Sequence, residues 1–276
     1  MVPTPADVPA TDGMPMLGLG TWENKRHEQC AESVQTALEI GYRHIDTAQI
    51  YRNEDAVGDG IAAADVPRED IFLATKVWID DLGYDDVIHT TAESLDRLGT
   101  EYVDLLYVHW PARAYDPAET LPAFDELYDE GTIRNVGVSN FEPEHVERAQ
   151  EVLDAPVFAN QVELHPMLPR EDLQAHAAET GVELVAYSPL ARGDVLSEPT
   201  LGEIAAKHDA SEPQVALAWL REKGITAIPK ATSEAHIRDN FESLTLSLDE
   251  EDMRRIDSIS ERRRKVHPDF APAAWG

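Results

Sequence analysis

Four polar residues stand where short apolar runs end, and their types fit one chemistry. Asp46 closes the run Gly41-Tyr42-Arg43-His44-Ile45-Asp46, Lys76 closes residues 71–76, and His109 closes residues 103–109, with Tyr51 a short loop beyond Asp46. A tyrosine ordinarily titrates near ~10 and is a poor acid at neutral pH. A nearby ammonium stabilises the phenolate and lowers that value, so Lys76 is expected to tune Tyr51, with Asp46 holding Lys76 charged and in place. A histidine beside the phenol can donate to a carbonyl oxygen or share its proton. This is general acid catalysis with a tuned donor, suited to the oxyanion that forms as hydride reaches a carbonyl carbon. No side chain donates hydride, so a cofactor must supply it. Each residue also has a plainer reading. Asp46 and Lys76 could be a structural ion pair, His109 a hydrogen-bonded core residue, and Tyr51 an ordinary loop tyrosine. Trp22, Trp78 and Trp110 could simply be core. Their joint placement favours chemistry.

The elements that must position them are short strands alternating with amphipathic helices. Residues 71–76, 103–109, 133–139, 157–161, 183–187 and 225–229 read as strands, most of them nearly continuous apolar runs, and weaker strands fall at 17–21 and 44–46. Continuous runs of this kind are buried on both faces. Val87, Thr91, Leu95 and Leu98 form one helix stripe; Leu121, Phe124 and Leu127 another; Ala216, Trp219 and Leu220 a third. Eight strand–helix units imply a parallel sheet, either closed into a (β/α)₈ barrel or opened as a doubly wound sheet. An open dinucleotide fold would carry G-x-G-x-x-G after its first strand, and Gly18-Leu19-Gly20 lacks the third glycine. In a barrel all these strand ends share the face that carries active sites. Ser139, Asn140, Gln161, Tyr187 and Lys230 lie at strand ends too.

At 276 residues the chain is long enough for one such barrel, and residues 1–276 are expected to form a single domain. No apolar run reaches membrane-spanning length, and residues 1–13 show no signal peptide. One cysteine, Cys30, excludes intrachain disulfides, reads as a buried thiol, and fits a cytoplasmic setting. The 23 basic and 53 acidic residues leave a net charge of −30, which argues against nucleic acid or an anionic membrane as partner. Such a surface repels itself in dilute buffer and is screened by salt, so a protein adapted to a salt-rich cytoplasm is expected.

The segment Gly41-Tyr42-Arg43-His44-Ile45-Asp46-Thr47-Ala48-Gln49-Ile50-Tyr51-Arg52-Asn53-Glu54 closely resembles the signature of the aldo-keto reductases. Leu73-Ala74-Thr75-Lys76-Val77-Trp78, Asp104-Leu105-Leu106-Tyr107-Val108-His109-Trp110-Pro111 and Gly137-Val138-Ser139-Asn140-Phe141 look like further blocks of that family. So do Asn160-Gln161-Val162-Glu163-Leu164-His165-Pro166, Tyr187-Ser188-Pro189-Leu190 and Ile228-Pro229-Lys230, and the tail at 267–275 is also similar. The likeness extends to 2,5-diketo-gluconate-reductase-like members. It implies a (β/α)₈ barrel that reduces an aldehyde or ketone with NADPH, and less well with NADH. It further implies a catalytic tetrad of Asp46, Tyr51, Lys76 and His109. Ser139, Asn140 and Gln161 match positions that hold the nicotinamide carboxamide, Tyr187 the aromatic on which that ring stacks. Thr21 and Asp46 would reach the ribose, and Ser188 and Leu190 would line the pyrophosphate. Lys230, Ala231, Thr232, His236 and Asn240 match the region that grips the 2′-phosphate and adenosine. Trp22, Trp78 and Trp110, with His109, would wall the substrate pocket, which suits a carbonyl with an apolar or sugar-like body.

One departure bears on the cofactor. Many relatives follow the lysine with serine or threonine and place an arginine six positions after it; here those places hold Ala231 and His236, with Arg238 two positions later. Two other functions compete. A non-catalytic NADP(H)-binding barrel could keep the tetrad while acting as a sensor or subunit. A metal-dependent barrel hydrolase would use a pair like His44 and Asp46, but the further strand-end histidines it needs are missing. The expected partner is a small carbonyl compound, and the expected assembly a monomer.

Overall fold

Eight short parallel strands follow one another around a ring, with helices outside. The computed structural model describes residues 3–272 and Trp275; Met1, Val2, Ala273, Ala274 and Gly276, which complete the expected domain and tail, lie outside the described residues. The strands are β1 (Leu19–Gly20), β2 (His44–Asp46), β3 (Phe72–Val77), β4 (Leu105–Val108), β5 (Val136–Ser139), β6 (Val157–Glu163), β7 (Glu183–Tyr187) and β8 (Thr226–Ala227). Each pairs in parallel with the next. The ring closes where Gly18 N donates to Ala227 O at 2.9 Å and Gly20 N to Pro229 O at 3.1 Å. This seam decides for the barrel over the open sheet. It also explains Gly20, where an added Cβ would lie 2.7 Å from the Ile228 carbonyl oxygen.

Alternation along the strands builds two cores. Phe72, Ala74, Leu105, Tyr107, Ala159 and Val185 point inward and fill the barrel with Met14 and Ile228. Met14 comes from a small hairpin, Ala10–Thr11 against Met14–Pro15. Ile45, Leu73, Leu106 and Val108 point outward into the larger core beneath the helices. Lys76 and His109 continue the inward rows of β3 and β4, so the strand period itself delivers them to the mouth.

The helices are α1 (His27–Ile40), α2 (Glu54–Ala63), α3 (Tyr84–Leu98), α4 (Pro117–Asp129), α5 (Pro143–Val152), α6 (Glu171–Thr180), α7 (Pro199–His208), α8 (Glu212–Glu222), α9 (Glu234–Glu242) and α10 (Glu250–Asp257). The expected stripes are buried on α3, α4 and α8, with Leu95 only partly covered. Cys30 is buried on α1, and burial, with Asp55 adding to it, pushes its thiol up to about 12. No helix among the described residues is long and apolar enough to cross a membrane.

Several strands are shorter than their apolar runs. At 103–109 the strand proper is Leu105–Val108, with Val103 in a separate bridge to Ile133; between them the Asp104 carboxylate, not a backbone carbonyl, accepts from Leu73 N at 2.9 Å. At 225–229 the strand proper is Thr226–Ala227; beyond it Ile228 N still donates to Ala186 O, while Pro229, with no N–H, contributes only its carbonyl to the seam. Two helices, α7 and α8, fill the long connection from β7 to β8.

Candidate active site

The carboxyl ends of the strands surround a cavity of 740 Å³. Asp46, at the end of β2, is the hub beneath it. One carboxylate oxygen accepts from Lys76 Nζ at 2.5 Å and the other from Gln161 Nε2 at 2.7 Å. Lys76 Nζ also donates to the Thr47 carbonyl at 2.6 Å. The pair is wholly enclosed, with Lys76 0% exposed. Above it, Lys76 Nζ lies 5.1 Å from the centre of the Tyr51 ring. The His109 ring stands edge-on to Tyr51 at 5.9 Å and to Trp78 at 5.2 Å.

The loop that presents Tyr51 is pinned from several directions. Thr47 Oγ1 donates to Asn53 Oδ1, and Asn53 Nδ2 donates to the carbonyls of Thr21 and Asn24. Gln49 Oε1 accepts from Trp78 N at 2.9 Å, tying the turn Gln49–Tyr51 to the end of β3. Arg52, in the left-handed region at φ 55°, ends that turn.

Electrostatics correct one expectation. Burial, followed by the charge of Asp46 and the proximity of Tyr187, holds Tyr51 well above the usual phenol range rather than below it. The Lys76 charge is matched at 2.5 Å by Asp46, while enclosure penalises a phenolate. Burial lowers Lys76 as well, opposed by Asp46. Burial and the Lys76 charge hold His109 well below the usual imidazole range, so it is neutral at pH 7. Its Nδ1 is a buried polar atom without a partner among the described residues.

Ser139, Asn140, Gln161, Tyr187, Ser188 and Leu190 all line the cavity, as expected. Ser139 Oγ donates to Gln161 O at 2.8 Å, and Asn140 Nδ2 donates to His109 O and to Ser139 Oγ, both at 3.0 Å. Tyr187 OH donates to Asn140 Oδ1 at 2.8 Å, which fixes the ring's tilt. Asn140 and Ser188 sit in the left-handed region at φ 63° and 47°, a conformation non-glycine residues hold mainly where surrounding structure imposes it. Lys230, His236 and Asn240 line a further part of the wall. Lys230 is exposed and forms no ion pair among the described residues. Arg238 is engaged with Glu234 at 2.7 Å and is not in the wall. Thr21, Ala231 and Thr232 are not in the wall either, and the Thr21 hydroxyl donates to Asp46 O at 3.0 Å. His44 is sealed inside the barrel against Phe72, away from the cavity.

Trp22, Trp78 and Trp110 line the cavity together with residues the sequence did not single out. Phe270 stands edge-on to Trp78 at 5.7 Å and to Trp110 at 5.6 Å, and Trp275 packs on Trp110 at 4.9 Å. The Arg192 guanidinium lies 4.5 Å over the Trp22 ring. The tail carries no helix or strand period to mark it; only its likeness to the family pointed there. Arg192 and Asp239, also in the wall, had no signal.

The size and lining suit a large ligand with both flat and charged parts. The strand-end amides and Tyr187 can receive a carboxamide-bearing ring, and the free ammonium of Lys230 can receive a phosphate, so a nicotinamide dinucleotide fits the residues present. A barrel mouth that sets a tyrosine over a sealed ion pair, beside a cavity of nucleotide size, fits a (β/α)₈ oxidoreductase acting on carbonyl groups. The sequence profile of the Aldo/keto reductase family matches residues 16–261, and the chain belongs to that family. Its members reduce carbonyl compounds with NAD(P)H. Over 254 residues it is 41% identical to the 9,11-endoperoxide prostaglandin H2 reductase of Trypanosoma cruzi (strain CL Brener), covering 91% of this chain and 89% of that one. It is 39% identical to the glyoxal reductase of Bacillus subtilis (strain 168) over 251 residues, 91% of each chain. Among solved structures, a Bombyx mori aldo-keto reductase in complex with NADP superposes with a TM-score of 0.85 at 32% identity, covering 91% of both chains.

Proposed function

We propose that this reductase uses NADPH to convert small aldehydes and ketones to alcohols, with Tyr51 as proton donor. The observation that carries the reading is the sealed Asp46–Lys76 pair directly beneath the Tyr51 ring. Tyr51 starts protonated, the state that reduction requires. A neutral His109 donates a hydrogen bond to the substrate oxygen and orients it. As the oxygen gains negative charge, Tyr51 passes its proton to it, and Lys76 stabilises the phenolate left behind. Asp46 keeps Lys76 charged despite burial. NADPH, when bound, supplies the hydride; Ser139, Asn140 and Gln161 would hold its carboxamide, Tyr187 would stack on its ring, and Lys230 would meet its 2′-phosphate. With His236 in place of an arginine and Arg238 engaged elsewhere, NADH serves as a weaker alternative. Aromatic walls of Trp22, Trp78, Trp110 and Phe270 suit compact or flat carbonyl compounds, and the relative named as a glyoxal reductase fits the compact end of that range.

The single-domain, monomeric and cytoplasmic readings belong to the same proposal, as does activity in a salt-rich milieu, which rests on the net charge of −30. A panel of dicarbonyls, aromatic aldehydes, ketones and sugars, assayed with NADPH and NADH in molar salt, tests the reading. Carbonyl-dependent oxidation of NADPH is expected. Tight NADPH binding without turnover of any carbonyl would instead support the non-catalytic barrel.

A further inference from the structure

The aromatic wall of the pocket hangs on a carboxylate that the chemistry does not use. Glu163 ends β6, two residues beyond Gln161, so both side chains leave the strand on the same face. Gln161 reaches Asp46, while Glu163 reaches the tail. Its Oε1 accepts from Lys265 N at 2.6 Å and its Oε2 from Val266 N at 2.8 Å. His165 Nε2 lies 3.1 Å from Oε1 and, when it carries the proton, gives a third donor. Glu163 and His165 are both 0% exposed. A buried carboxylate taking two backbone N–H groups from a segment over a hundred residues away is a clamp, and charge-assisted bonds of this kind are the strong ones.

What the clamp holds is the substrate wall. Val266, Pro268 and Phe270 line the cavity immediately after the gripped residues. Trp275 Nε1 donates back to Val266 O at 3.2 Å, and the guanidiniums of Arg170 and Arg264 lie over its ring at 5.3 and 4.4 Å. A second tie runs to the segment after β7, where Asp194 pairs with Arg263 at 2.9 Å and with Lys265. Residues 267–270 themselves carry no backbone hydrogen bond to a barrel strand among those described, so beyond the ring contacts of Phe270 with Trp78, Trp110 and the Arg113 guanidinium, its position depends on these anchors.

We infer that Glu163 is a positioning residue for substrate selection: by clamping Lys265 and Val266 it sets where Phe270 meets Trp78 and Trp110, and thereby which carbonyl compounds the reductase accepts. This rests on the reductase reading above. Tetrad and clamp occupy different residues, so loss of the clamp leaves the chemistry intact. Small dicarbonyls that need no contact with Phe270 are then turned over as before, while aromatic aldehydes that stack against it bind poorly.

Glu163→Gln keeps the volume but sets an amide N–H₂ against a backbone N–H. KM for an aromatic aldehyde such as 4-nitrobenzaldehyde is expected to rise about tenfold or more, in line with a lost bond to a charged group, with kcat for methylglyoxal within twofold of the parent. Phe270→Ala should raise the same KM, and the double variant should be no worse than the more affected single one, because both act through one wall. Hydrogen exchange read by mass spectrometry should be faster over residues 264–271 in Glu163→Gln and unchanged over 44–51. Should Glu163→Gln fail to fold, Val266→Pro, which deletes one gripped N–H from the tail side, must give the same local acceleration. An unchanged KM for the aromatic aldehyde, an equal fall in kcat for every substrate, or unchanged exchange in the tail would each overturn the inference. If the parent turns over no carbonyl, the reductase reading fails by itself, and the exchange difference still decides the clamp.

Discussion

Two parts of one cavity wall are built on different principles. The strand-end cluster of Asp46, Gln161, Ser139 and Asn140, with Lys76 sealed beneath it, is buried and closed on itself, each polar group held by another at 2.5–3.0 Å. The part at the start of α9 is exposed: Lys230 has no ion partner among the described residues, and His236 points from a helix whose capping contact, Ser233 Oγ accepting from His236 N, is long at 3.4 Å. A proton donor must be placed to within a fraction of an ångström, and rigid strands supply that. A phosphate grip needs charge more than placement and tolerates change. The first part should therefore fail sharply when altered and the second by degrees.

The sharpest failure should be Tyr51→Phe, which keeps the ring and deletes the proton. Turnover should fall at least ~100-fold, the scale of losing general acid catalysis, while the NADPH dissociation constant from fluorescence titration stays put. Near-normal turnover would rule out Tyr51 as the donor.

Lys230→Ala tests the other part of the wall. A single charge-assisted contact to the 2′-phosphate is worth about 1.5–3 kcal/mol, or roughly 10- to 150-fold. The exposed position places the effect at the lower end of that range, because solvent screens the contact. The NADPH dissociation constant should rise by about tenfold while that for NADH is nearly unchanged. Equal weakening of both cofactors, or tighter NADH binding in the parent, would erase the distinction between the two parts.

The smallest effect concerns the whole surface. Individual exposed ion pairs such as Arg148–Glu151 contribute little, about 0–1 kcal/mol each. Self-repulsion of a −30 net charge is spread over the entire molecule, and salt relieves it. Melting temperature and activity should rise from dilute buffer to molar potassium chloride. A flat or falling melting temperature would remove the salt-adapted reading.

How much could be read in advance follows the same division. Asp46, Lys76, His109 and Gln161 end apolar runs, and a barrel must gather strand ends at one face, so their convergence was legible. The choice of barrel over open sheet was legible only through the missing third glycine and the likeness to the aldo-keto reductases; the seam that makes it, three hydrogen bonds joining Met16, Gly18 and Gly20 to Ala227 and Pro229, has no mark in the spacing. Phe270 and Arg192 lie in segments without a period of 2 or 3.6, and no spacing marks such residues. The local setting of Thr21 could not be read: its hydroxyl donates to the Asp46 carbonyl, a contact between neighbouring strands that only the register reveals. The acidity of Tyr51 was misjudged because a charge pair this close cancels much of its own field, leaving burial to dominate.

That cancellation makes Lys76 the residue on which the account of the chemistry turns. In the enclosed site, removing its charge as Lys76→Met leaves the phenolate opposed by burial and by Asp46 with nothing to balance them, so the Tyr51 pKa must rise further. Alcohol oxidation, which requires the phenolate, reports this directly. The measurement is the pH dependence of kcat for NADP-linked alcohol oxidation in parent and Lys76→Met. The expected result is a sharply lower rate in the variant, with the remaining activity displaced to higher pH. A variant whose profile keeps the parent's midpoint would contradict a role for Lys76 in setting the acidity of Tyr51.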